Sequence, residues 1–228
     1  MGRAVKRHRP YKSPLRADQA RVTSQAIVDA AIALFSKHGY SGVSLDSIAE
    51  AAGVSRATVF TSVGGKPVVL KQAFRAAFGR VAGADGVQMP LIERPRSREV
   101  RARQSVDDYL VGYAGICTSL HSHMSGVYEA IREGSRGDAD VNALWIEVNA
   151  ERRRGAATIV ADVKARAPLR LGLVEDEAAD VVWVLNDPVH FQMLVHDRGW
   201  SEERFREWLT RALKVELVGA PAHERGKR

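Results

Sequence analysis

The stretch LDSIAEAAGVSRATVF, residues 45–60, decides the fold class of this chain. Ser44 and Ser55 stand where each can cap the start of a helix, and Gly53 can adopt the positive φ angle that ends one. The small Ala49, four residues before Gly53, lets two crossing helices approach each other. Apolar residues recur where such helices would pack: Leu45, Ile48, Ala49, Ala52, Val54 and Val59. The stretch therefore predicts two short helices joined by a tight turn, which is the spacing of a helix-turn-helix.

The second helix of this pair is predicted to expose short hydrogen-bonding side chains and one arginine. These are Arg56, Thr58, Thr61 and Ser62, which suit phosphate oxygens and base edges in a major groove. An alanine-rich helical hairpin that shows Ala-x-x-x-Gly by chance is the alternative. The two caps, the apolar pattern and the flanking residues favour the helix-turn-helix over that alternative.

The flanking residues extend the pattern in both directions. Upstream, apolar residues at helical spacing lead to Gly39 and Tyr40, which mark a helix C-terminal cap. Downstream, Gly64-Gly65-Lys66-Pro67 ends one helix and begins another. From Ala26 to Leu70 the sequence resembles the N-terminal domain of TetR/AcrR-family transcriptional regulators. The residues that carry the resemblance are Ile27, Ala30, Ala31, Phe35, Gly39, Tyr40, Ile48, Ala49, Ala52, Gly53, Val54, Ser55, Thr58, Val59, Phe60, Lys66 and Leu70.

The resemblance implies an all-α protein with an N-terminal three-helix helix-turn-helix domain and a C-terminal helical regulatory and dimerisation domain. It places the helix from about Arg56 to Ser62 in the major groove of double-stranded DNA. It also places Lys66, at a helix start that already favours an anion, on a phosphate. The expected DNA-binding residues are Ser44, Ser55, Arg56, Thr58, Phe60, Thr61, Ser62 and Lys66.

Two positions depart from the family pattern. An aromatic residue or histidine is common where Ser62 stands, and phenylalanine is common where Val63 stands. Phe60 keeps the family's aromatic site, with packing between the two hairpin helices as the alternative to DNA contact. We therefore expect the face next to DNA to differ in polarity from that of the family.

Composition and charge exclude several classes of protein. The chain has 228 residues, 45% of them hydrophobic and 27% charged, which is ordinary for a globular protein. Its formal net charge is +7, and seven Lys and Arg against one Asp fall in residues 1–21. No apolar run approaches the ~18 residues of a membrane helix, and no secretory signal opens the chain. The single Cys117 excludes a disulfide framework and a cysteine-based zinc site. We expect a cytoplasmic protein without a cofactor or metal.

The chain divides into five segments. These are a disordered basic arm (1–20), the helix-turn-helix domain (21–83), a linker (84–103), a ligand-binding and dimerisation domain (104–219) and a basic tail (220–228). The arm either lies against DNA or serves as a solubilising tail. The linker contains arginines at 94, 96, 98, 101 and 103, which either reach the flanking DNA backbone or belong to a solvated connector.

The C-terminal segment is helical throughout by its periodicity. Predicted helices span 104–121, 123–135, 138–166, 175–197 and 201–218. Pro188 should kink the fourth of them and free a carbonyl. The last two are apolar on more than one face, so each needs a further partner. The resemblance implies a homodimer that sets two recognition helices on a palindromic operator.

The resemblance also implies a small-molecule effector bound inside the C-terminal domain. Aromatic, methionine and a few polar side chains suit such a pocket, although the same residues also suit an ordinary core. The candidate lining residues are Tyr109, Tyr113, Cys117, His121, Met124, Tyr128, Trp145, Asn149, Trp183, Asn186, His190 and Met193.

Cys117 and His121 lie four residues apart on one predicted helix, which raises two alternatives. One is a redox-sensing repressor that uses Cys117, and the other is a helical enzyme with a nucleophile and base. No third orienting residue, glycine-rich phosphate loop or zinc spacing supports catalysis. We interpret the chain as a sequence-specific DNA-binding regulator released from its operator by an effector, not an enzyme. A constitutive, basic DNA-coating protein is the rival among binding proteins.

Overall fold

The computed structural model describes residues 14–80 and 93–219, with side chains from residue 17 onward in the first range. The helices in chain order are α1 (Pro14–His38), α2 (Leu45–Ala51), α3 (Arg56–Ser62), α4 (Lys66–Arg80), α5 (Pro95–Arg101), α6 (Val106–Gly134), α7 (Ala139–Lys164), α8 (Glu175–Leu185), α9 (Pro188–Phe191) and α10 (Glu202–Leu217). A π-helical segment, Gln192–Asp197, continues α9. No strand occurs within these two ranges, so the predicted all-α class is confirmed.

The capping residues of the helix-turn-helix behave as predicted. The Ser44 hydroxyl accepts the amide hydrogen of Ser47 at 3.0 Å, and the Ser47 hydroxyl accepts that of Ser44 at 3.0 Å, which forms a capping box. Ser55 caps α3 by accepting the amide of Thr58 at 3.1 Å. Gly53 takes a φ of +66° between the two helices. Local hydrogen bonds therefore fix the geometry of this turn.

The first helix begins earlier than the sequence indicated. We expected residues 1–20 to be disordered and the helix to start near Arg21, but α1 starts at Pro14. Proline is tolerated in a first helical turn, and the alanines, leucine and arginine that follow are good helix formers. The prediction of a disordered basic arm is thus wrong for residues 14–20. The rest of that arm, residues 1–13, and the predicted tail from residue 220 lie outside the described residues.

Helix α6 forms the axis of the C-terminal part. It runs unbroken for 29 residues, whereas we expected two helices that separate near residue 122. The hydroxyl of Ser122 donates to the carbonyl of Ser119 within the helix, and no proline or positive-φ glycine interrupts the chain there. Helices α5, α7, α9 and α10 pack against α6, α8 packs on α7 and α10, and α1 and α4 pack against α6 from the N-terminal domain.

Part of the predicted linker is folded. Residues 95–101 form α5, in which Ser97 and Val100 are buried against the rest of the protein. The Arg101 guanidinium donates to both oxygens of Asp162 on α7, at 2.8 and 2.9 Å. Arg94 is buried, and its guanidinium donates to the carbonyl of Phe78 at 3.3 Å. Neither a solvated connector nor a DNA contact describes these two arginines, and residues 81–92 lie outside the described part.

Pro188 divides the predicted helix 175–197 into α8 and α9. Asp187 caps α9 by accepting the amide of Val189 at 2.9 Å, and Pro188 occupies the first helical turn. The predicted kink is confirmed as a full break. Among the described residues, no helix is both long enough and apolar enough to span a membrane.

Candidate nucleic-acid interface and interior polar cluster

Helix α3 presents most of the predicted contact residues to solvent. Arg56, Phe60, Thr61 and Ser62 are exposed, while Val59 on the opposite side is fully buried. The Phe60 ring is 63% exposed, so the alternative in which it packs between the hairpin helices is wrong. An exposed aromatic ring beside hydroxyls and a guanidinium suits both the apolar and polar edges of a DNA groove.

Hydrogen bonds within the helix-turn-helix set how these side chains are held. The Arg56 guanidinium donates to the Asp46 carboxylate at 3.0 Å, with both side chains 65% exposed. Such an exposed pair contributes only ~0–1 kcal/mol, so DNA can replace Asp46 as the partner of Arg56. The Thr61 hydroxyl donates to the carbonyl of Ala57 at 2.9 Å, which leaves its oxygen free to accept a hydrogen bond. The hydroxyls of Ser55 and Thr58 lie 2.8 Å apart.

Lys66 begins α4, as predicted, but its ammonium group already has partners. The Nζ atom lies 4.0 Å from the centroid of the Tyr40 ring, a cation–π contact. Burial lowers the pKa of Lys66, while the charges of Glu133 and Asp138 favour the protonated ammonium. The side chain expected on a phosphate therefore rests against the end of α1 in the absence of DNA.

The turn after α1 is tied to the C-terminal domain by what we call the interdomain cluster: Tyr40, Ser41, Lys66, Glu133 and Asp138. The Glu133 carboxylate at the end of α6 accepts the amides of Tyr40 at 2.8 Å and Ser41 at 3.0 Å. The Tyr40 hydroxyl donates to Asp138, the cap of α7, at 2.6 Å. The hydrogen bonds from Ser41 and Tyr40 lower the pKa of Glu133 and Asp138 respectively. Both carboxylates thus stay ionised while they hold the DNA-binding domain.

A second network lies inside the C-terminal domain around Arg152 of α7. Its guanidinium pairs with Asp187 at 3.0 Å, with side chains only 14% and 22% exposed. It also donates to the carbonyls of Trp183 at 2.9 Å and Asn186 at 3.0 Å, which the break at Pro188 leaves without helical partners. The charge of Arg152 is therefore compensated within the domain.

Polar side chains from α6 and α7 join this network. The Tyr128 hydroxyl contacts Arg152 at 3.0 Å and donates to Asp187 at 3.2 Å. The Asn149 carbonyl oxygen accepts from Arg152 at 3.0 Å, and the Asn186 amide donates to the Tyr113 hydroxyl at 2.9 Å. We call the following residues the interior polar cluster: Tyr113, His121, Tyr128, Asn149, Arg152, Trp183, Asn186, Asp187 and His190.

Four buried polar atoms of this cluster have no hydrogen-bond partner within the described ranges. They are His121 Nδ1, Trp183 Nε1, Asn186 Oδ1 and His190 Nδ1. Burial lowers the pKa of His121 to about 3, and the charge of Arg152 acts in the same direction, so the ring is neutral near pH 7. A neutral imidazole can both donate and accept. Because buried polar groups are normally paired, these atoms are candidates for hydrogen bonds to a ligand, although the Asn186 side chain already lies near enough to His121 to favour its protonated form.

The structure brings most of the predicted pocket residues together, with exceptions. Cys117 and Met124 are buried on α6 with the cluster, and the Trp145 ring packs on Tyr128 at 5.3 Å between centroids. Tyr109 instead donates to Asp162 at 3.1 Å, where α5 and α7 meet. Met193 is 53% exposed, so its placement inside the pocket is a correction to the sequence prediction. The π-helical turn directs this side chain outward, and Phe191 occupies the interior.

Cys117 lacks the environment of a reactive thiol. The side chain is 1% exposed, and burial raises the pKa of the thiol to about 12, so the thiolate is scarce near pH 7. His121, four residues on, is neutral, and no carboxylate among the described residues orients it as a base. This geometry does not support the Cys117 redox sensor or the Cys117/His121 enzyme.

Five functional residues were missed by sequence reasoning. Arg152 and Asp187 hold the interior network, and Tyr40, Glu133 and Asp138 hold the two domains together. Asp187 carried a usable signal, since an Asp before a proline is a typical helix cap. Tyr40 stands out in the sequence only as part of a helix end and of the family resemblance. Its contact, and those of the remaining three residues, could not be found because their partners lie far away in the sequence.

The fold and the exposed face of α3 define a helix-turn-helix DNA-binding protein. Residues 27–67 match the family model described as "Bacterial regulatory proteins, tetR family". This chain is therefore a DNA-binding transcriptional regulator with a tetR-family N-terminal domain, as its sequence predicted. No curated protein sequence gives a significant match.

Solved structures share the fold over nearly the whole chain. The regulator FadR from Bacillus subtilis, in complex with stearoyl-CoA, superposes with a TM-score of 0.64 at 15% identity, covering 86% of this chain and 99% of that one. The fatty acid degradation regulator FadR from Bacillus halodurans gives 0.61 at 16%, covering 84% and 94%. NalD, the secondary repressor of a multidrug efflux pump in Pseudomonas aeruginosa, gives 0.59 at 20%, covering 87% and 98%. At these identities the likeness establishes the fold.

Proposed function

We propose that this chain acts as a homodimeric repressor that leaves a palindromic operator when a small molecule binds the interior polar cluster. The observation that carries the proposal is the set of four buried polar atoms without a geometric hydrogen bond on α6, α8, the residue after α8, and α9. A ligand that satisfies them would gain hydrogen bonds that the free protein lacks. The FadR structure described with stearoyl-CoA places a small molecule on a similar fold.

The chemistry of the cluster favours an uncharged effector with an aromatic or apolar body. Arg152 is already neutralised by Asp187, and His121 is neutral, so no unpaired charge faces inward among these residues. The indole of Trp183 offers a donor, the Asn186 oxygen an acceptor, and the two imidazoles either. A charged ligand would need a compensating group that the described cluster does not provide.

Helix α6 supplies a route from the effector to DNA. His121 and Glu133 lie on this helix twelve residues apart, which is about 18 Å at 1.5 Å per residue. A shift of α6 on effector binding would move Glu133 and, through its two hydrogen bonds, the turn at Tyr40. In a dimer, such a shift changes the distance between two recognition helices and so the fit to paired half-sites.

Binding to an operator is tested by selecting bound fragments from a random-sequence DNA pool at two salt concentrations with the full-length chain. We expect a palindromic motif at both salts. On that motif, Phe60→Ala should weaken binding about tenfold because it removes an exposed ring from the recognition face. Val22→Ala, which removes a comparably exposed side chain from α1, is the matched control.

Two results would overturn this proposal. Binding without a motif that vanishes as salt rises would leave a charge-driven DNA-coating protein. Equal losses in Phe60→Ala and Val22→Ala would remove α3 from the interface. An uncharged compound that releases the protein from the motif would support the interior polar cluster as the effector site, provided that Trp183→Phe abolishes this release.

A further inference from the structure

A groove on the outer surface of the C-terminal domain gathers three arginines over two glycines. It lies between α5, α6 and α10, has a volume of about 500 Å³, and is lined by Arg96, Arg103, Arg206, Val100, Gly112 and Gly115 among others. We call it the basic groove. Its volume falls within the ~300–1,000 Å³ of small-molecule sites.

The arginines converge because α6 has glycines at the floor of the basic groove, where no side chain keeps them apart. A side-chain Cβ at Gly115 would lie 3.5 Å from the Arg96 guanidinium and 3.8 Å from the Cδ of Arg206. One turn earlier, a Cβ at Gly112 would lie 3.0 Å from the Arg103 guanidinium. Three cationic side chains thus reach the same strip of α6, from α5, from the turn after α5 and from α10.

Only some of the N–H donors of these three arginines have an acceptor within the described part of the chain. Arg96 makes one long contact, 3.5 Å, with the carbonyl of Gly115, and Arg103 donates to the carbonyl of Asp108 at 2.9 Å. Arg206 pairs with Glu203, but its Nε is buried and has no acceptor in the part of the chain that the structure describes. Each guanidinium carries five N–H donors, so all three arginines keep donors for an oxygen from outside the chain.

Charge and apolar lining together define the ligand. Glu99 lines the groove and Glu203 pairs with Arg206, so two carboxylates stand against three guanidinium groups. Pro95, Val100 and Val111 line the same groove, and Val111 is 39% exposed. This combination fits a carboxylate head with a short apolar body, held by forked guanidinium donors.

The groove is separate from both sites described above. On α6, Val111, Gly112 and Gly115 lie about 170° around the helix from Tyr113, Cys117 and His121, at 100° per residue. Gly115 is eighteen residues from Glu133, about 27 Å along the axis, so the groove is far from the helix-turn-helix. Neither the interior effector nor DNA accounts for it.

We propose that the basic groove is a second binding site, for a small amphipathic organic carboxylate. Octanoate is the probe, with the uncharged octanamide as its analogue, and binding to the full-length chain is measured by isothermal titration calorimetry. We expect octanoate to bind at least about tenfold more tightly than octanamide, as the loss of a charge-assisted hydrogen bond predicts.

Matched variants locate the site. Arg96→Gln/Arg206→Gln should weaken octanoate binding about tenfold or more. Arg98→Gln/Arg211→Gln removes two exposed arginines from the same helices, α5 and α10, and should leave the affinity within about twofold. Equal affinities for octanoate and octanamide, or equal effects of the two double variants, would overturn the proposal.

A second pair of variants blocks the groove without changing charge. Gly115→Leu places a side chain on the floor of the basic groove. Gly155→Leu, the control, adds the same side chain to α7 at a position where a Cβ would meet nothing within 4 Å. Both changes favour helix, so neither is expected to unfold the chain, which thermal unfolding checks. Octanoate binding should fall only in Gly115→Leu. Unchanged binding in that variant would place octanoate elsewhere, including the interior cluster, and refute the assignment.

Discussion

At the scale of the residue, His121 illustrates how the fold controls a charge. The side chain is 3% exposed, and its ring makes edge contacts with Phe191 at 6.1 Å and Phe205 at 6.2 Å between centroids. The charge of Arg152 and the neighbouring His190 also lower its pKa. The folded chain therefore excludes the imidazolium that the unfolded chain forms readily.

This exclusion predicts a pH dependence of stability. The unfolded state binds a proton below an ordinary histidine pKa of about 6.5, whereas folded His121 binds one only near pH 3. Between these values the unfolded state holds more protons, so the free energy of unfolding should fall as pH falls. The slope contributed by His121 is up to about 1.4 kcal/mol per pH unit.

Urea unfolding of three proteins from pH 5 to pH 7.5 measures this slope. His121→Gln should flatten it relative to the native chain. His123→Gln, which changes an exposed histidine on the same helix, should leave it unaltered. The same slope in both variants would show that His121 is not the group responsible.

At the scale of the element, the turn between α1 and α2 is where the two domains meet. Gly39 and Gly53 both end helices with nearly the same φ, +67° and +66°. Their surroundings differ, since a Cβ at Gly39 would clash with a carboxylate oxygen of Glu133, and one at Gly53 would meet nothing within 4 Å. A comparison of alanine substitutions at these two glycines therefore separates the free-energy cost of backbone strain from that of losing the interdomain contact.

Gly53→Ala should therefore lower the free energy of unfolding by about 1 kcal/mol, the cost of a left-handed alanine. Gly39→Ala should cost a further 1–3 kcal/mol or so, because it displaces the carboxylate that accepts the Tyr40 and Ser41 amides. Chemical denaturation measures both values. In a Glu133→Ala background the excess should shrink, and an excess that persists there would contradict the role given to Glu133.

At the scale of the whole molecule, apolar side chains remain exposed on the last helical segments. Val184 on α8 is 50% exposed, Met193 on the π-helical turn 53%, and Val215 on α10 45%. Helix α10 packs against both α8 and the π-helical turn, so these side chains lie on neighbouring elements. This supports the proposal that a second copy covers them.

Sedimentation at micromolar concentration tests that proposal. The native chain should sediment as a dimer, and Met193→Glu should shift it toward the monomer and weaken operator binding, since two half-sites must be bound together. Ile146→Glu changes an apolar residue of α7 that is 61% exposed and should remain dimeric. A native chain that sediments as a monomer contradicts the dimer.

Local interactions explain what could be predicted from sequence. The caps Ser44 and Ser55, the turn at Gly53 and the break at Pro188 depend on hydrogen bonds and dihedral angles within four residues, so their residue types suffice to locate them. The same reasoning failed where charge or proline suggested disorder, at residues 14–20 and 95–101. There, helix propensity and burial against α6 and α7 prevailed over composition.

The sequence by itself determined the helix-turn-helix and the all-α class, because both follow from periodicity and capping along a continuous stretch of chain. Only the tertiary structure decided the partners of its charged groups. Arg152 forms an ion pair with Asp187, which lies 35 residues later in the sequence. Glu133 accepts a hydrogen bond from the amide of Tyr40, which lies 93 residues earlier. Such pairs form when packed helices remove water and the charges must be satisfied locally, a condition that no short stretch of sequence contains.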